Sequence, residues 1–293
     1  MLRTVWLYTP ANNLSRMEKA IALPSDCLIF DLEDSIPPAE KERARENIAK
    51  VLEDYPQRSL EVGVRINGLG TGFEDEDIKQ LVALNLDFLI IPKIESEKDI
   101  NEIVRKVSEV ERRQSDQDKK IGLFCIVETA KGIVNLGNII FANDRLNGIL
   151  FGAEDLTLDL GIERSKEGKE FFYARSKTAV YAAAARIEAI DTAFPDLGDT
   201  DGLTAEAKEA FKLGYTGKAV IHPSQIKPVR LGFSPSPEKV EIAKRQISEF
   251  DKGVKKGLAA VSVEGKMVDF PVYQRAKKIV TLSQSLKERD TKK

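Results

Sequence analysis

Short apolar runs alternate with helical stretches along most of the chain, and that alternation restricts its fold more than any other feature. The runs are TVWLYT, CLIFDLE, LEVGVRI, FLIIPKI, IGLFCIVE, GILFGAED, AIDTAF and KAVIHP, eight in all. Between them lie helical patterns such as AEKERARENIAKVLEDY, EKDINEIVRKVSEVERRQ, ARSKTAVYAAAARIEA and LTAEAKEAFKLG. Pro37 and Pro38 mark a helix start that Ser35 can cap, and Gly214 marks a helix end. Strands alternating with helices build parallel sheets, either a closed barrel or an open doubly wound sheet. Against the open sheet, no GxGxxG follows the first run and no GxxxxGK[ST] occurs anywhere. The glycine run from Gly68 to Gly72 follows the third strand with the wrong spacing, and reads as a flexible loop over a barrel mouth.

The ends of the runs are polar. Asp31, Glu33 and Asp34 follow the second, Arg65 and Asn67 the third, Lys93 and Glu95 the fourth. Glu128, Asp155, Asp191 and His222 continue the series. A barrel directs such residues towards a common centre, so the expected fold is a TIM (β/α)8 barrel over residues 1–233. A C-terminal helical extension over residues 234–293 follows, with a turn signal at Glu264 and Gly265.

Glu128 and Asp155 carry the most chemistry. Each closes a buried-looking run just before a helix, and two carboxylates from successive strands can hold one hard cation with its waters. Mg²⁺ is the expected ion, keeping open positions for a chelating substrate. Singly, each acid reads as a helix cap; as a pair they read as a site.

Composition narrows the alternatives. With 293 residues, 42% of them apolar, the chain can bury one large core or two modest ones. A formal net charge of −2 gives no electrostatic reason to expect DNA, RNA or an anionic membrane as partner. Cys27 and Cys125 sit inside apolar runs, as buried thiols of a cytoplasmic protein would. A single histidine excludes His-rich metal sites and disfavours a Ser-His-Asp triad. The N-terminus lacks the apolar core of a signal peptide, and no run is long enough to span a bilayer.

Taken in order, LYTPAN, FDLEDSI, VRINGLGT, LIIPKIES, IVETAKGI, FGAEDLTLDLG, AIDTAFPDLGDTDGL and GYTGKAVIHPSQI resemble the citrate lyase beta subunit family, with its malyl-CoA and citramalyl-CoA lyase relatives. The resemblance extends to VEGKMVDFPVYQRA near the C-terminus. It implies a Mg²⁺-dependent lyase that joins or splits an acyl thioester and a 2-oxo acid. It assigns Glu128 and Asp155 as metal ligands and Arg65 as the clamp on the oxo-acid carboxylate. Glu33 and Asp34 become groups that hold metal waters or neighbouring side chains. The amides around Gly152 and Ala153 would meet the substrate carboxylate, Glu128 would border the substrate, and Asp269 would act as the acid–base group. In some relatives that aspartate serves a neighbouring subunit, so residues 234–293 would pack on a second copy in a homotrimer or homohexamer. PANNLSRMEKA lacks the family's glycine-rich form, which leaves the coenzyme A pocket around Arg16 and Lys19 unassigned.

Malyl-CoA and citramalyl-CoA lead as substrates, giving acetyl-CoA and a 2-oxo acid. The rivals are a citrate lyase beta subunit working on an acyl carrier protein, and a non-catalytic acyl-CoA-binding relative. Lys93 is a possible Schiff-base lysine that the metal pair makes redundant, leaving it a structural or electrostatic rim residue. Asp191 reads as a helix cap or inter-strand partner, and His222 as an internal hydrogen-bonded histidine.

Overall fold

The structure, a computed structural model, describes residues 2–114 and 120–291. It divides into two compact units, Arg3–Gly232 and the chain from Phe233 onward joined by the N-terminal residue Leu2.

In the first unit eight parallel strands close into a barrel. They are β1 (Val5–Pro10), β2 (Cys27–Asp31), β3 (Glu61–Arg65), β4 (Phe88–Ile91), β5 (Gly122–Val127), β6 (Leu146–Phe151), β7 (Glu188–Asp191) and β8 (Gly217–Val220), with β8 pairing back onto β1. The connecting helices are α1 (Leu14–Ile21), α2 (Lys41–Asp54), α3 (Glu74–Leu81), α4 (Glu97–Glu111), α5 (Ala130–Ile140), α6 (Ala153–Asp159), α7 (Phe172–Ala185), α8 (Thr200–Leu213) and α9 (Ile226–Phe233).

Local chemistry fixes many of the boundaries. Ser96 and Asp99 form a reciprocal capping box at the start of α4, and Gly214 ends α8 in the left-handed conformation. Ser35 does not cap a helix: its hydroxyl bonds the Asp31 carboxylate, and Pro37 precedes the short turn Pro38–Glu40 without a side-chain cap. The Gly68–Gly72 loop is not left loose either. The Glu74 carboxylate accepts from Gly70 N at 3.0 Å and Gly72 N at 2.9 Å, pinning both turns.

Period-two alternation along the strands sorts side chains inward and outward. At the lower end Trp6, Phe88 and Phe124 form a triangle with ring centroids 5.0–5.3 Å apart. Glycines on the intervening strands make room for it: a Cβ on Gly63 would fall on the Phe88 ring and one on Gly148 on the Phe124 ring. Below the rings, Arg3 bridges Glu61 and Glu188. Above them Ile29, Ile90, Ile126, Leu150 and Ile190 continue the fill, so the interior of the barrel is a packed core.

The second unit contains α10 (Pro237–Val254), the antiparallel hairpin of β9 (Val261–Val263) and β10 (Lys266–Val268), and α11 (Phe270–Thr291). Glu264 and Gly265 form the hairpin turn, both with positive φ, as the turn signal predicts. Phe250, Val263 and Val268 make a small core with Tyr273 stacked on Phe250 at 4.6 Å. Among the described residues no helix is long and apolar enough to cross a membrane.

Candidate active site

The upper ends of the strands enclose a cavity of about 540 Å³. Its lining includes Asp31, Asp34, Arg65, Glu128, Gly152 and Asp155. Residues that the strand-end pattern singled out therefore converge on one space.

Asp31 and Arg65 end neighbouring strands and are register partners. Two inward residues at one level must meet, and Arg65 binds both oxygens of Asp31: Nε to Oδ1 at 2.6 Å and Nη2 to Oδ2 at 2.7 Å. Arg65 Nη1 stands 2.8 Å from Glu33 Oε2. Burial alone would push the Asp31 carboxyl up, but the Arg65 charge and its hydrogen bonds outweigh that and hold it below the usual range. Under the guanidinium lies the Tyr8 ring, 5.5 Å from Cζ to centroid. The loop carrying Glu33 is fixed from behind by the buried Lys41, which donates to the carbonyls of Leu32 and Glu33 at 2.8 and 3.1 Å.

Glu128 follows β5 directly and is only 2% exposed. Its Oε1 accepts the backbone N–H of Lys93 at 2.9 Å. Burial first, then the charges of Asp155 and Glu33, push this carboxyl up to about 8. Asp155 does not end a strand as the run GILFGAED suggests. It stands in the first turn of α6, where the helix dipole favours an anion, with a side chain 30% exposed.

Lys93 follows β4 with φ +53, a left-handed conformation that is costly for a side chain of this kind. Its ammonium lies 2.8 Å from Glu33 Oε1, 3.3 Å from Asp34 Oδ1 and 3.8 Å from Asp155 Oδ1. The sequence reveals neither the backbone strain nor this bridging, so Lys93 has a larger part in the site than its motif suggests.

The two amides expected to meet a substrate carboxylate are already engaged. Gly152 N donates to Val127 O at 3.2 Å, and Ala153 N donates to Thr192 Oγ1 at 3.1 Å. Thr192 thereby anchors the α6 N-terminus, and the missing Cβ of Gly152 leaves space for Glu128. Asp269 belongs to the second unit, where its carboxylate accepts Val272 N at 3.1 Å at the start of α11. Asp191 is an inter-strand partner, fully buried between Arg175 of α7 and Lys218 of β8. His222 is exposed rather than internal, and its Nδ1 pairs with Ser224 Oγ at 2.8 Å within its own turn.

Among the described residues no three His, Cys, Asp or Glu side chains form a ready-made metal cage. Mg²⁺ binds through one or two carboxylates and keeps its waters. The donors here are hard oxygens, and the missing Cβ of Gly152 gives Glu128 its place beside Asp155. Glu128 and Asp155 therefore fit a divalent cation of this kind.

The family model described as HpcH/HpaI aldolase/citrate lyase matches residues 4–223. The chain is 34% identical over 282 residues to citrate lyase subunit beta of Leuconostoc mesenteroides subsp. cremoris, covering 96% of this chain and 93% of that one. It is 35% identical over 298 residues to the mitochondrial citramalyl-CoA lyase of Homo sapiens, covering 98% and 87%. The CitE protein of Mycobacterium tuberculosis, solved with magnesium, acetoacetate and coenzyme A, superposes with a TM-score of 0.79 at 31% identity, covering 97% of this chain and 98% of that one.

Proposed function

The chain belongs to the HpcH/HpaI aldolase/citrate lyase family, and from that premise we propose how its cavity works as the site of a Mg²⁺-dependent carbon–carbon lyase. The enzyme splits or forms a 3-hydroxyacyl-CoA thioester such as malyl-CoA or citramalyl-CoA, with acetyl-CoA and a 2-oxo acid on the other side of the reaction. The observation that carries the assignment of residues is the buried Glu128, set against Asp155 at the rim of a cavity that also holds Arg65.

Glu128 and Asp155 would hold Mg²⁺, which when bound acts as a Lewis acid on oxygen donors of the substrate. Arg65 orients the oxo-acid carboxylate. Asp31 occupies its Nε/Nη2 edge and Glu33 faces Nη1, fixing the plane of the guanidinium, and one proton on each terminal nitrogen remains to meet the substrate carboxylate. Glu33 and Asp34 set the charge of the rim. Asp269 moves the proton at the thioester α-carbon, placed there by a second copy of the chain. Donation to that carbon accompanies cleavage, and abstraction begins condensation.

That role for Asp269 requires a homo-oligomer, which we take to be a trimer or hexamer acting in the cytoplasm. Exposed apolar side chains on α5, α6 and α7, among them Val134, Leu158, Tyr173 and Val180, support association. A monomer that retained full activity in light scattering at assay concentration would exclude it.

The experiment is an assay with malyl-CoA and citramalyl-CoA, in Mg²⁺ and in EDTA, of the wild type beside Glu128→Ala and Asp269→Asn. Metal-dependent release of acetyl-CoA, abolished by the first variant and reduced about 10²–10⁴-fold by the second with metal binding intact, is the expected result. The similarity to a citrate lyase beta subunit favours one further reading, a citryl thioester carried on an acyl carrier protein. Turnover of the carrier-bound thioester with none of the free CoA thioesters would establish that reading instead.

A further inference from the structure

We infer that Lys93 is a positioning residue that reserves Glu33 and Asp34 away from the metal, so that the cation rests on Glu128 and Asp155 alone. This rests on the reading of those two carboxylates as the Mg²⁺ ligands. The rim carries more acid than a Mg²⁺ site needs: Asp31, Glu33, Asp34, Glu128 and Asp155. Arg65 takes both oxygens of Asp31 and one of Glu33. Lys93 Nζ takes the other oxygen of Glu33 at 2.8 Å and both oxygens of Asp34 at 3.3 and 3.4 Å. Of the remaining two, Glu128 Oε1 accepts a backbone N–H, and Asp155 forms the longest of the three ion pairs of this ammonium, at 3.8 Å against 2.8 and 3.3 Å.

Two protein carboxylates leave a divalent ion with open positions. Four would surround it with charge, tighten its binding and favour the larger, oxygen-rich shell of Ca²⁺. A lysine suits this task because its ammonium is a compact charge with three donors. The backbone supports the same conclusion. Glycine would adopt φ +53 without strain, yet the position carries a lysine, and the left-handed turn lets one residue serve both sides of the site. Its N–H holds Glu128 while its side chain reaches Glu33 and Asp34.

The test is calorimetric titration of Mg²⁺ and Ca²⁺ into the wild type, Lys93→Met, Lys93→Gly, Lys93→Arg and Glu128→Gln. Lys93→Gly accepts the left-handed backbone, keeps an amide for Glu128 and removes the side chain with its ammonium, while Lys93→Met keeps most of the stem and removes the charge. Expected are about tenfold tighter binding of Mg²⁺ by the Met and Gly variants, a larger gain for Ca²⁺, and near wild-type affinities for Lys93→Arg. Unchanged or weaker Mg²⁺ binding by Lys93→Gly, with Glu128→Gln defective, overturns the role of Lys93 and leaves the metal site standing. Wild type that binds no Mg²⁺, or Glu128→Gln that binds it equally well, overturns the metal site and this inference with it.

Discussion

Glu128 occupies the space that a side chain on Gly152 would fill: its Oε2 lies 2.5 Å, and its own Cβ 2.6 Å, from where a Cβ on Gly152 would stand. Real carbon atoms do not approach so closely, and both conflicts involve the stem and head of one buried residue. Gly152→Ala must therefore move Glu128. The expected outcome is a folded protein whose Mg²⁺ affinity falls about 10–100-fold, read by metal titration with circular dichroism as the control for folding. Unchanged affinity would show that Glu128 is not a ligand.

The raised Glu128 carboxyl ties stability to pH. Its folded value, about 8, lies above its unfolded one, so the native state without metal holds this proton more tightly. That contribution is fully present below the unfolded value near 4.5 and is lost as pH rises through about 8. Mg²⁺ needs the ionised form, so proton and metal compete. The increase in melting temperature on adding Mg²⁺ should be larger at pH 8 than at pH 6, and binding at pH 7 should release protons to the buffer. An equal increase at both pH values would count against competition at this group.

Arg65 and Asp31 should not tolerate separation. Asp31→Ala leaves a largely buried guanidinium without its bidentate partner, and breaking a buried pair from one side costs about 3–5 kcal/mol. Denaturant unfolding measures that loss. Arg65→Lys keeps the charge but cannot span both oxygens of Asp31 while meeting a second carboxylate, so the expected fall in kcat/KM is about 10²-fold or more. Wild-type kinetics in Arg65→Lys would remove the clamp from the mechanism.

At the other end of the barrel, Gly63→Ala places a methyl group on the Phe88 ring and forces the aromatic triangle to shift. Overpacking of this kind costs about 1–3 kcal/mol. The expected result is a lower melting temperature with nearly unchanged Mg²⁺ affinity, because the rings and the carboxylates occupy opposite ends of the strands. A metal defect as large as that of Gly152→Ala would contradict the separation of floor and site.

The barrel was legible because buried parallel strands advertise themselves as apolar runs, and because the acids at their ends stand just before helices. Strand parity also places Asp31 inward with Cys27 and Ile29, so its meeting with Arg65 on the next strand could have been deduced. Other features leave no mark in the residues. GILFGAED does not say where strand yields to helix, since Gly152 and Ala153 are small enough for either, and Asp155 consequently reads as a strand end. The left-handed backbone at Lys93 is invisible because nothing but the surrounding fold imposes it. His222 follows an apolar strand, which suggests burial, but the chain turns outward there and exposes the ring.

The floor of rings formed by Trp6, Phe88 and Phe124 has a kinetic consequence. Rings buried this deeply block passage through the barrel floor, so products formed in the upper cavity depart through its mouth and their order follows depth. On the reading proposed above, with the oxo acid on Arg65 and the thioester nearer the mouth, acetyl-CoA would leave first and the oxo acid last. In the condensation direction the order would reverse, with the oxo acid binding before the thioester.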